Sequence, residues 1–259
     1  MKAQEVFTHL KSVGTWVDWS KANDKFLHGD PEAEVEAIAV TWVATIEAIE
    51  AAAAKGATLL VSHEGLDYPA LMEVKSGADL VQRKRELLDA HGMVLMRCHD
   101  VWDRMPEVGI PDAWTKVLGF EAEPRPVESY YRVCLVGERS ARDLAGAILE
   151  KVRPLAQRSV RIFGPTEAEV SRMAVGTGAI TNAGLMHELG ADCILATDDG
   201  MWSTTWGVWA LDLGIPVLCV SHATAEIPGM MKLAEYLGER YQDVPCEYVP
   251  CGFPPESVS

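Results

Sequence analysis

Residues 34–64, "EVEAIAVTWVATIEAIEAAAAKGATLLVSHE", contain the alternation of strand and helix that decides the fold. The apolar and β-branched residues at 34–42 predict a strand. Residues 44–55 predict a helix that ends near Gly56, and residues 57–62 predict a short buried strand. A strand followed by a helix and another strand is typical of α/β layers with a largely parallel sheet.

The same alternation continues through the rest of the chain. The segment at 120–129 carries two prolines and several charges, which is typical of a connection between two lobes. Further strands are predicted at 93–98, 131–137, 159–164, 172–176, 192–197 and 216–221, and further helices at 77–92, 111–119, 141–152, 183–190, 202–213 and 228–241, the last with Pro228 in its first turn. We therefore predict an α/β protein of two related lobes, roughly 1–122 and 123–259, with mostly parallel sheets and a cleft between the lobes at the strand carboxyl ends.

The composition fits a soluble globular protein and excludes several partners. The chain has 259 residues, 48% of them hydrophobic and 24% charged. Its formal net charge of −15 repels phosphate backbones and suits cations, so we expect no direct nucleic-acid partner. No apolar run approaches the ~20 residues of a membrane span, and the N-terminus has no signal-like apolar core. These features predict a cytoplasmic protein without a membrane partner.

The six cysteines are spread along the chain and form no CxxC pair. Cys134, Cys193 and Cys219 lie in apolar strand-like runs, which indicates a reducing compartment rather than a disulfide framework. Cys246 and Cys251 are close enough in sequence for a bridge or a metal, which is the less favoured interpretation.

Three predicted strands end in histidine and carboxylate residues. The side chains concerned are His63 and Glu64, then His99, Asp100 and Asp103, and finally His222 and Glu226. Ligands of open α/β sheets bind at the carboxyl ends of the strands. Imidazole and carboxylate groups together suit zinc, manganese, iron or cobalt, and the absence of thiolates at these positions argues against a structural, cysteine-rich zinc site.

A carboxylate that bridges two ions can complete a dinuclear centre, in which metals ~3.5–4 Å apart activate a water molecule. One histidine or glutamate after a strand is more often a hydrogen-bonded polar residue than a ligand, but three such strand ends favour a metal site. The remaining histidines lack this setting and are interpreted as structural or surface residues: His9, His28, His91 and His187.

Two other stretches have weaker signals. The glycines of "VGTGAI", 175–180, either let the backbone approach a ligand or serve tight packing. Asp198 and Asp199 follow another strand, where helix capping and turn formation are as plausible as a role in the site. Trp202, Trp206 and Trp209 are interpreted as core or subunit-contact residues.

With these motifs, the chain resembles the NGG-interacting-factor-3-like proteins, often labelled GTP cyclohydrolase type 2 homologues. Residues 28–64 resemble the unit that leads to the family's His-His-Pro motif, residues 98–120 resemble its second motif, and residues 210–241 resemble its C-terminal His-x-x-x-Glu segment. The resemblance implies two related α/β lobes, two divalent metal ions in a cleft, and a homo-oligomer that is commonly a ring-like hexamer.

The resemblance also implies roles for individual residues. His63, Asp103, His222 and Glu226 match the family's metal ligands, with Glu226 as the bridge, and His99 is expected to support the ligands by hydrogen bonding. Two positions depart from the pattern. Glu64 replaces the second histidine as a candidate ligand, which favours manganese or magnesium, and Gly65 replaces the proline. The family's histidines after the fourth strand end are also missing from "TDDGMWSTTW", 197–206, so the resemblance does not define a shared substrate.

The sequence thus predicts a divalent-metal-dependent hydrolase that acts on a small nucleotide-like or heterocyclic substrate. Asp100, Asp198 or Asp199 is the candidate proton shuttle. One alternative is a metal-binding regulatory or interaction protein without turnover. The other is a homologue with a single metal, in which Glu64 has spoiled one position.

Overall fold

A computed structural model describes residues 1–127 and 129–254. Its contacts divide the chain into two compact units: a first unit of Met1–Met105 with Met230–Phe253, and a second unit of Pro106–Gly229 with Pro254. This division differs from the one predicted near residue 122. Two features make the difference: residues 106–122 belong to the second unit, and the C-terminal segment returns to the first unit and adds a strand to its sheet.

The first 105 residues form four helices and four strands. In chain order they are α1 (Ala3–Val13), β1 (Lys25–His28), β2 (Ile38–Thr41), α2 (Ile46–Ala54), β3 (Leu59–Ser62), α3 (Pro69–Met72), α4 (Lys75–Ala90) and β4 (Val94–Arg97). Strands β2 and β3 are buried at every residue, as expected for parallel strands covered on both faces. Thr45 caps α2 by accepting a hydrogen bond from the Ala48 amide.

The chain then forms the second unit. Its elements are α5 (Ile110–Leu118), β5 (Glu121–Ala122), β6 (Arg132–Ser140), α6 (Ala141–Val152), β7 (Arg161–Phe163), β8 (Glu169–Val175), α7 (Ala183–Glu188), β9 (Cys193–Thr197), α8 (Val208–Leu213) and β10 (Val217–Val220), with a π-helical turn at Ser203–Gly207. Helix α9 (His222–Arg240) and strand β11 (Cys246–Tyr248) follow.

Each unit is built on one sheet. The first sheet has the order β1-β4-β3-β2-β11, and every pairing except β1 with β4 is parallel. The second has the order β5-β6-β8-β9-β10-β7, in which only β8-β9 and β9-β10 are parallel.

These pairings confirm the α/β class with two sheets, although the second sheet is more mixed than predicted. Strand β6 shows the reason, because its buried residues Arg132, Cys134 and Val136 alternate with more exposed ones. That pattern is typical of an antiparallel strand with one solvated face.

Helix α9 begins at His222, so the predicted start at 228 is wrong and Pro228 lies inside the helix. The start is stabilised from outside the segment. Asp198 accepts a hydrogen bond from the His222 amide at 2.8 Å, and the Gln157 side chain accepts one from the Ser221 amide at 3.2 Å. Both acceptors are far away in sequence, so a local pattern could not reveal them.

Two further features concern the cysteines and the length of the helices. All six cysteines are free thiols, which agrees with the predicted absence of a disulfide framework. Among the residues with described structure, no helix combines the length and the apolar character that a bilayer crossing requires.

Candidate metal sites

The first unit brings together His63, His99 and Asp103, which we call the His-His-Asp cluster. His63 follows β3 and His99 follows β4 at adjacent ends of paired parallel strands. Their rings stack with centroids 4.4 Å apart and an interplanar angle of 10°. Asp103 lies 3.4 Å from His63 Nε2 and 3.2 Å from His99 Nδ1. One ligand atom from each residue lies within 4.8 Å of the others, so the three could hold one metal ion.

Hydrogen bonds orient the His63 ring and the turn that carries Asp103. His63 Nδ1 lies 3.2 Å from the Cys98 carbonyl oxygen. A carbonyl oxygen only accepts, so Nδ1 carries a proton, and in the neutral ring Nε2 presents its lone pair toward Asp103. The Asp103 amide donates to the His99 carbonyl at 2.9 Å, a helical turn that places Asp103 beside the His99 ring. His63 is 1% exposed and Asp103 is 8% exposed, so water is largely excluded from both.

Asp100 supports His99 directly. Its carboxylate accepts a hydrogen bond from His99 Nδ1 at 2.8 Å and two from Asn23, through its amide N–H and its side chain. Burial raises the pKa of Asp100, but the hydrogen bonds from His99 and Asn23 outweigh it and hold the pKa far below its ordinary value. Burial lowers the pKa of His99, but Asp103 and Asp100 together raise it to about 9. Metal binding at the His99 ring requires the protonated ring to lose a proton.

Asp24 is a supporting residue that sequence reasoning missed. It is buried, and its carboxylate accepts hydrogen bonds from the backbone N–H groups of His99 at 3.0 Å and Asp100 at 2.7 Å. Burial, with the charge of Asp100 as the second cause, raises the pKa of Asp24. Asp24 fixes the turn that carries the cluster, yet it lies 75 residues before His99 and no local motif marks it.

Glu64, a predicted ligand, has other partners in the first unit. Its carboxylate accepts a hydrogen bond from the Tyr68 hydroxyl and forms an ion pair with Arg97 at 3.3 Å. Arg97 also donates from Nε to the His63 carbonyl at 2.9 Å. The negative charge that Glu64 adds at this position is therefore balanced by a guanidinium group.

The second unit places His222 and Glu226 on the first turns of α9, one turn apart. His222 Nε2 lies 2.8 Å from Glu226 Oε2. Glu226 is 3% exposed. Both side chains follow the end of β10, in agreement with the predicted setting, and both are of ligand type.

Gly178 makes the closest backbone approach to this pair. Its φ is +65°, a left-handed conformation that favours glycine. A β-carbon at Gly178 would lie 2.9 Å from His222 Nε2 and 3.0 Å from Glu226 Oε1. These contacts agree with the tight-packing interpretation of "VGTGAI", and close approach of its backbone to a ligand stays a prediction.

The two aspartates after β9 also lie near His222. Asp198 caps α9 through the His222 amide, which agrees with the capping interpretation. The Asp199 carboxylate lies 3.5 Å from His222 Nδ1 and is mostly exposed. Trp206 and Trp209 pack against the core of the second unit, whereas Trp202 is 66% exposed.

The structure therefore gathers the predicted residues into two groups, one in each unit. The first contains His63, His99 and Asp103, and the second contains His222 and Glu226. The predicted role of Glu64 as a metal ligand stays a prediction. His99 is itself one of the possible metal ligands. Its predicted role as a residue that supports the ligands stays a prediction. A dinuclear centre that uses residues of both groups also stays a prediction.

The sequence is similar to a known protein family and to a known protein. The sequence model of the family described as Duf34/NIF3 (NGG1p interacting factor 3) matches residues 1–251. A relative from Clostridium perfringens (strain 13 / Type A), named GTP cyclohydrolase 1 type 2 homolog, is 25% identical over 220 residues, which cover 82% of this chain and 81% of the relative.

Solved structures have the same fold. The Bacillus cereus protein related to NIF3 superposes with a TM-score of 0.82 at 12% identity, covering 100% of this chain and 99% of that one. A hypothetical protein from Staphylococcus aureus gives 0.80 at 17% identity, with coverage of 100% and 99%. At these identities the likeness concerns the fold alone.

Proposed function

The chain belongs to the Duf34/NIF3 family, and on that premise we propose that it is a divalent-metal-dependent hydrolase of small nucleotide-like or heterocyclic substrates. The observation that carries the proposal is the His-His-Asp cluster, whose ligand atoms converge within 4.8 Å. The name of the Clostridium perfringens relative, a homologue of a GTP cyclohydrolase type, supports this substrate class.

The residues of the cluster suit a catalytic ion. A set of two imidazoles and one carboxylate leaves coordination positions open for water or substrate, as catalytic metal sites require. Zinc, manganese, iron and cobalt accept such ligands, and magnesium takes carboxylates. A bound divalent ion would supply a Lewis acid that lowers the pKa of a water molecule.

The surrounding residues of the chain have separate tasks in this proposal. Cys98 fixes the His63 ring through its carbonyl, and Asp24 and Asp100 fix the turn and ring of His99. We propose Asp199 as the group that accepts or passes a proton, since its mostly exposed carboxylate lies 3.5 Å from His222 Nδ1. Asp100 is a weaker candidate, because the hydrogen bonds from His99 and Asn23 hold its pKa far below the ordinary value. The Asp198 carboxylate is engaged by the start of α9, which makes it a weaker shuttle.

We further propose that each group contributes to a two-metal centre, with His222 and Glu226 as the ligands from the second unit. Their 2.8 Å contact and the burial of Glu226 support a ligand role. A mononuclear protein, or a metal-binding regulatory protein without turnover, is the alternative. Elemental analysis of the purified chain separates these alternatives, because two ions per chain support the first and one ion supports a single site.

The activity is tested by screening the metal-loaded protein against nucleotides, phosphoesters and cyclic amides. We expect turnover that the Glu226→Ala variant abolishes and that Glu188→Ala, a change of an exposed glutamate in the same unit, retains. Tight metal binding without any turnover would reject the hydrolase and favour the regulatory protein.

A homo-oligomer and a cytoplasmic location complete the proposal. Large apolar side chains of the second unit are strongly exposed, including Trp202 at 66%, Leu211 at 67% and Leu213 at 58%. Where such side chains form one contiguous patch, that patch is typical of a surface that another protein chain covers. Analytical ultracentrifugation of the wild type and of Leu211→Glu tests this, with a smaller species expected for the variant.

A further inference from the structure

A polar cavity of about 390 Å³ lies within the second unit, beside the end of β10. We propose that this cavity binds the phosphate group of a small-molecule ligand. The proposed donors are the side chains of four residues that line it: Arg158, Arg161, Ser159 and Ser221. The cavity is separate from the side chains of His222 and Glu226, and it contains no residue of the His-His-Asp cluster.

Side-chain hydrogen bonds build one wall of the cavity. Ala156 has a φ of +63°, which turns the chain before the lining segment. The side-chain oxygen of Gln157 then accepts hydrogen bonds from the Ser221 amide at 3.2 Å and the Thr224 hydroxyl at 2.7 Å. Its side-chain Nε2 donates to the Ser159 carbonyl at 2.6 Å. The lining segment is therefore fastened to the start of α9.

The cavity is lined by two arginines and, among the residues with described structure, by a single carboxylate, that of Asp198. Within 1–127 and 129–254, neither Arg158 nor Arg161 forms an ion pair with a carboxylate, in a chain whose net charge is −15. Arg161 instead donates to Cys219 Sγ at 3.1 Å and lies 5.8 Å from the Phe163 ring centre. Burial raises the pKa of Cys219 and exceeds the opposing effect of Arg161, so the thiol stays neutral.

The Asp198 carboxylate is already used by another contact. It accepts the His222 N–H bond at the positive end of α9, which offsets its charge. Guanidinium groups match the several oxygens of a phosphate, with which they form charge-assisted and often bidentate hydrogen bonds. Two such groups together with two hydroxyls favour a phosphate over a single carboxylate.

The cavity wall continues into the metal-ligand region of the second unit. Ser221 and Asp198 line the cavity, and His222 directly follows Ser221 in the chain. A substrate anchored at the cavity by its phosphate would be held beside His222 and Glu226. This last step rests on the proposed hydrolase, whereas phosphate binding itself does not.

The test is titration of the purified full-length protein with inorganic phosphate by calorimetry, for the wild type, Arg161→Gln and the Arg158→Gln/Arg161→Gln double variant. We expect saturable binding that weakens by roughly tenfold or more in Arg161→Gln and further in the double variant. The metal content of these variants should equal that of the wild type.

Arg139→Gln is the matched control, because Arg139 also packs over a phenylalanine ring, that of Phe120 at 5.8 Å, but lies outside the cavity. It should bind phosphate like the wild type. Equal binding by wild type and double variant would overturn the proposal. So would loss of binding in Glu226→Gln alone, which would place phosphate on the metal, or acetate binding as tight as that of phosphate. The assay measures phosphate binding and not turnover. A failure of the phosphate proposal is therefore distinguishable from a failure of the proposed hydrolase activity.

Discussion

The two groups of candidate ligands are built in different ways. In the first unit, His63 and His99 come from the ends of two adjacent parallel strands, and Asp103 follows one turn after His99. In the second unit, His222 and Glu226 share one helix face four residues apart. The first group depends on the register of a sheet, while the second depends on where a helix starts.

The supports differ as well. Asp24, Asp100 and the Cys98 carbonyl hold the His-His-Asp cluster through hydrogen bonds from several segments of the first unit. The second group is positioned by the caps of α9 and by the close approach of Gly178. We therefore expect loss of one support to weaken metal binding by the cluster less than loss of a ligand does, and we expect the second group to be sensitive to backbone changes.

Loss of a ligand in the first unit should have the largest effect. Replacing Asp103 by Ala removes the carboxylate that contacts both histidines. We expect the affinity for one metal ion to fall by roughly a hundredfold or more, since removal of supporting residues alone costs ~10–100-fold. Metal titration followed by elemental analysis measures it. Asp89→Ala, which removes an exposed aspartate bonded to His28, should keep the metal. Unchanged affinity in Asp103→Ala would reject the cluster.

A backbone change in the second unit should come next. In Gly178→Ala the new β-carbon meets His222 and Glu226, and the positive φ is strained. We expect a loss of about 1–2 kcal/mol in the free energy of unfolding and roughly tenfold weaker metal binding by the second group. Gly214→Ala is the control, because its φ is +70° but no atom lies within 4 Å of the new β-carbon. It should share the strain and keep the metal affinity; equal metal losses in both variants would contradict the contact argument.

The protonated His99 ring should give the metal-free protein a pH-dependent stability. Its pKa is raised to about 9 in the folded state. The stabilisation is therefore full below the ordinary histidine pKa of ~6.5 and is lost as the pH rises through about 9. Urea unfolding with a chelator should show a wild-type advantage over His99→Gln on the order of 1 kcal/mol near pH 6 that shrinks near pH 9.5. An advantage that grows with pH would contradict the ion pairs of His99 with its aspartates.

The smallest effect is expected at Glu64. Its carboxylate is held by Tyr68 and Arg97 and is not part of the His-His-Asp cluster. Glu64→Gln should therefore change the affinity for the ion of the cluster by less than roughly threefold, since a neutral amide still accepts both hydrogen bonds. Metal titration compares this variant with Asp103→Ala. A loss as large as that of Asp103→Ala would make Glu64 a ligand of the same ion.

Much of the first unit is predictable because its signals are local. The strand-helix-strand pattern of residues 34–64 and the histidines after β3 and β4 are predicted within a few residues of their observed places. Helices α1 and α3 and strands β1 and β11 are not predicted. They are short or amphipathic elements, and β1 and β11 lie at the edges of their sheet.

The candidate sites are predictable only in part. The ligand types at strand ends are visible in the sequence. Asp24 and Arg97, however, form hydrogen bonds with His99 and His63, which are distant from them in sequence. The true start of α9 depends on caps from Asp198 and Gln157, which the local sequence around Pro228 does not show. Tertiary hydrogen bonds of this kind are beyond any local pattern.

The central claim is that His63, His99 and Asp103 hold one divalent ion. An anomalous difference map, recorded at the absorption edge of the metal found by elemental analysis, tests it most directly. We expect a peak at bonding distance, about 2.0–2.2 Å for zinc, from a nitrogen of each histidine and an oxygen of Asp103. A metal-loaded crystal whose anomalous peaks lie elsewhere, with none at these three side chains, would contradict the claim.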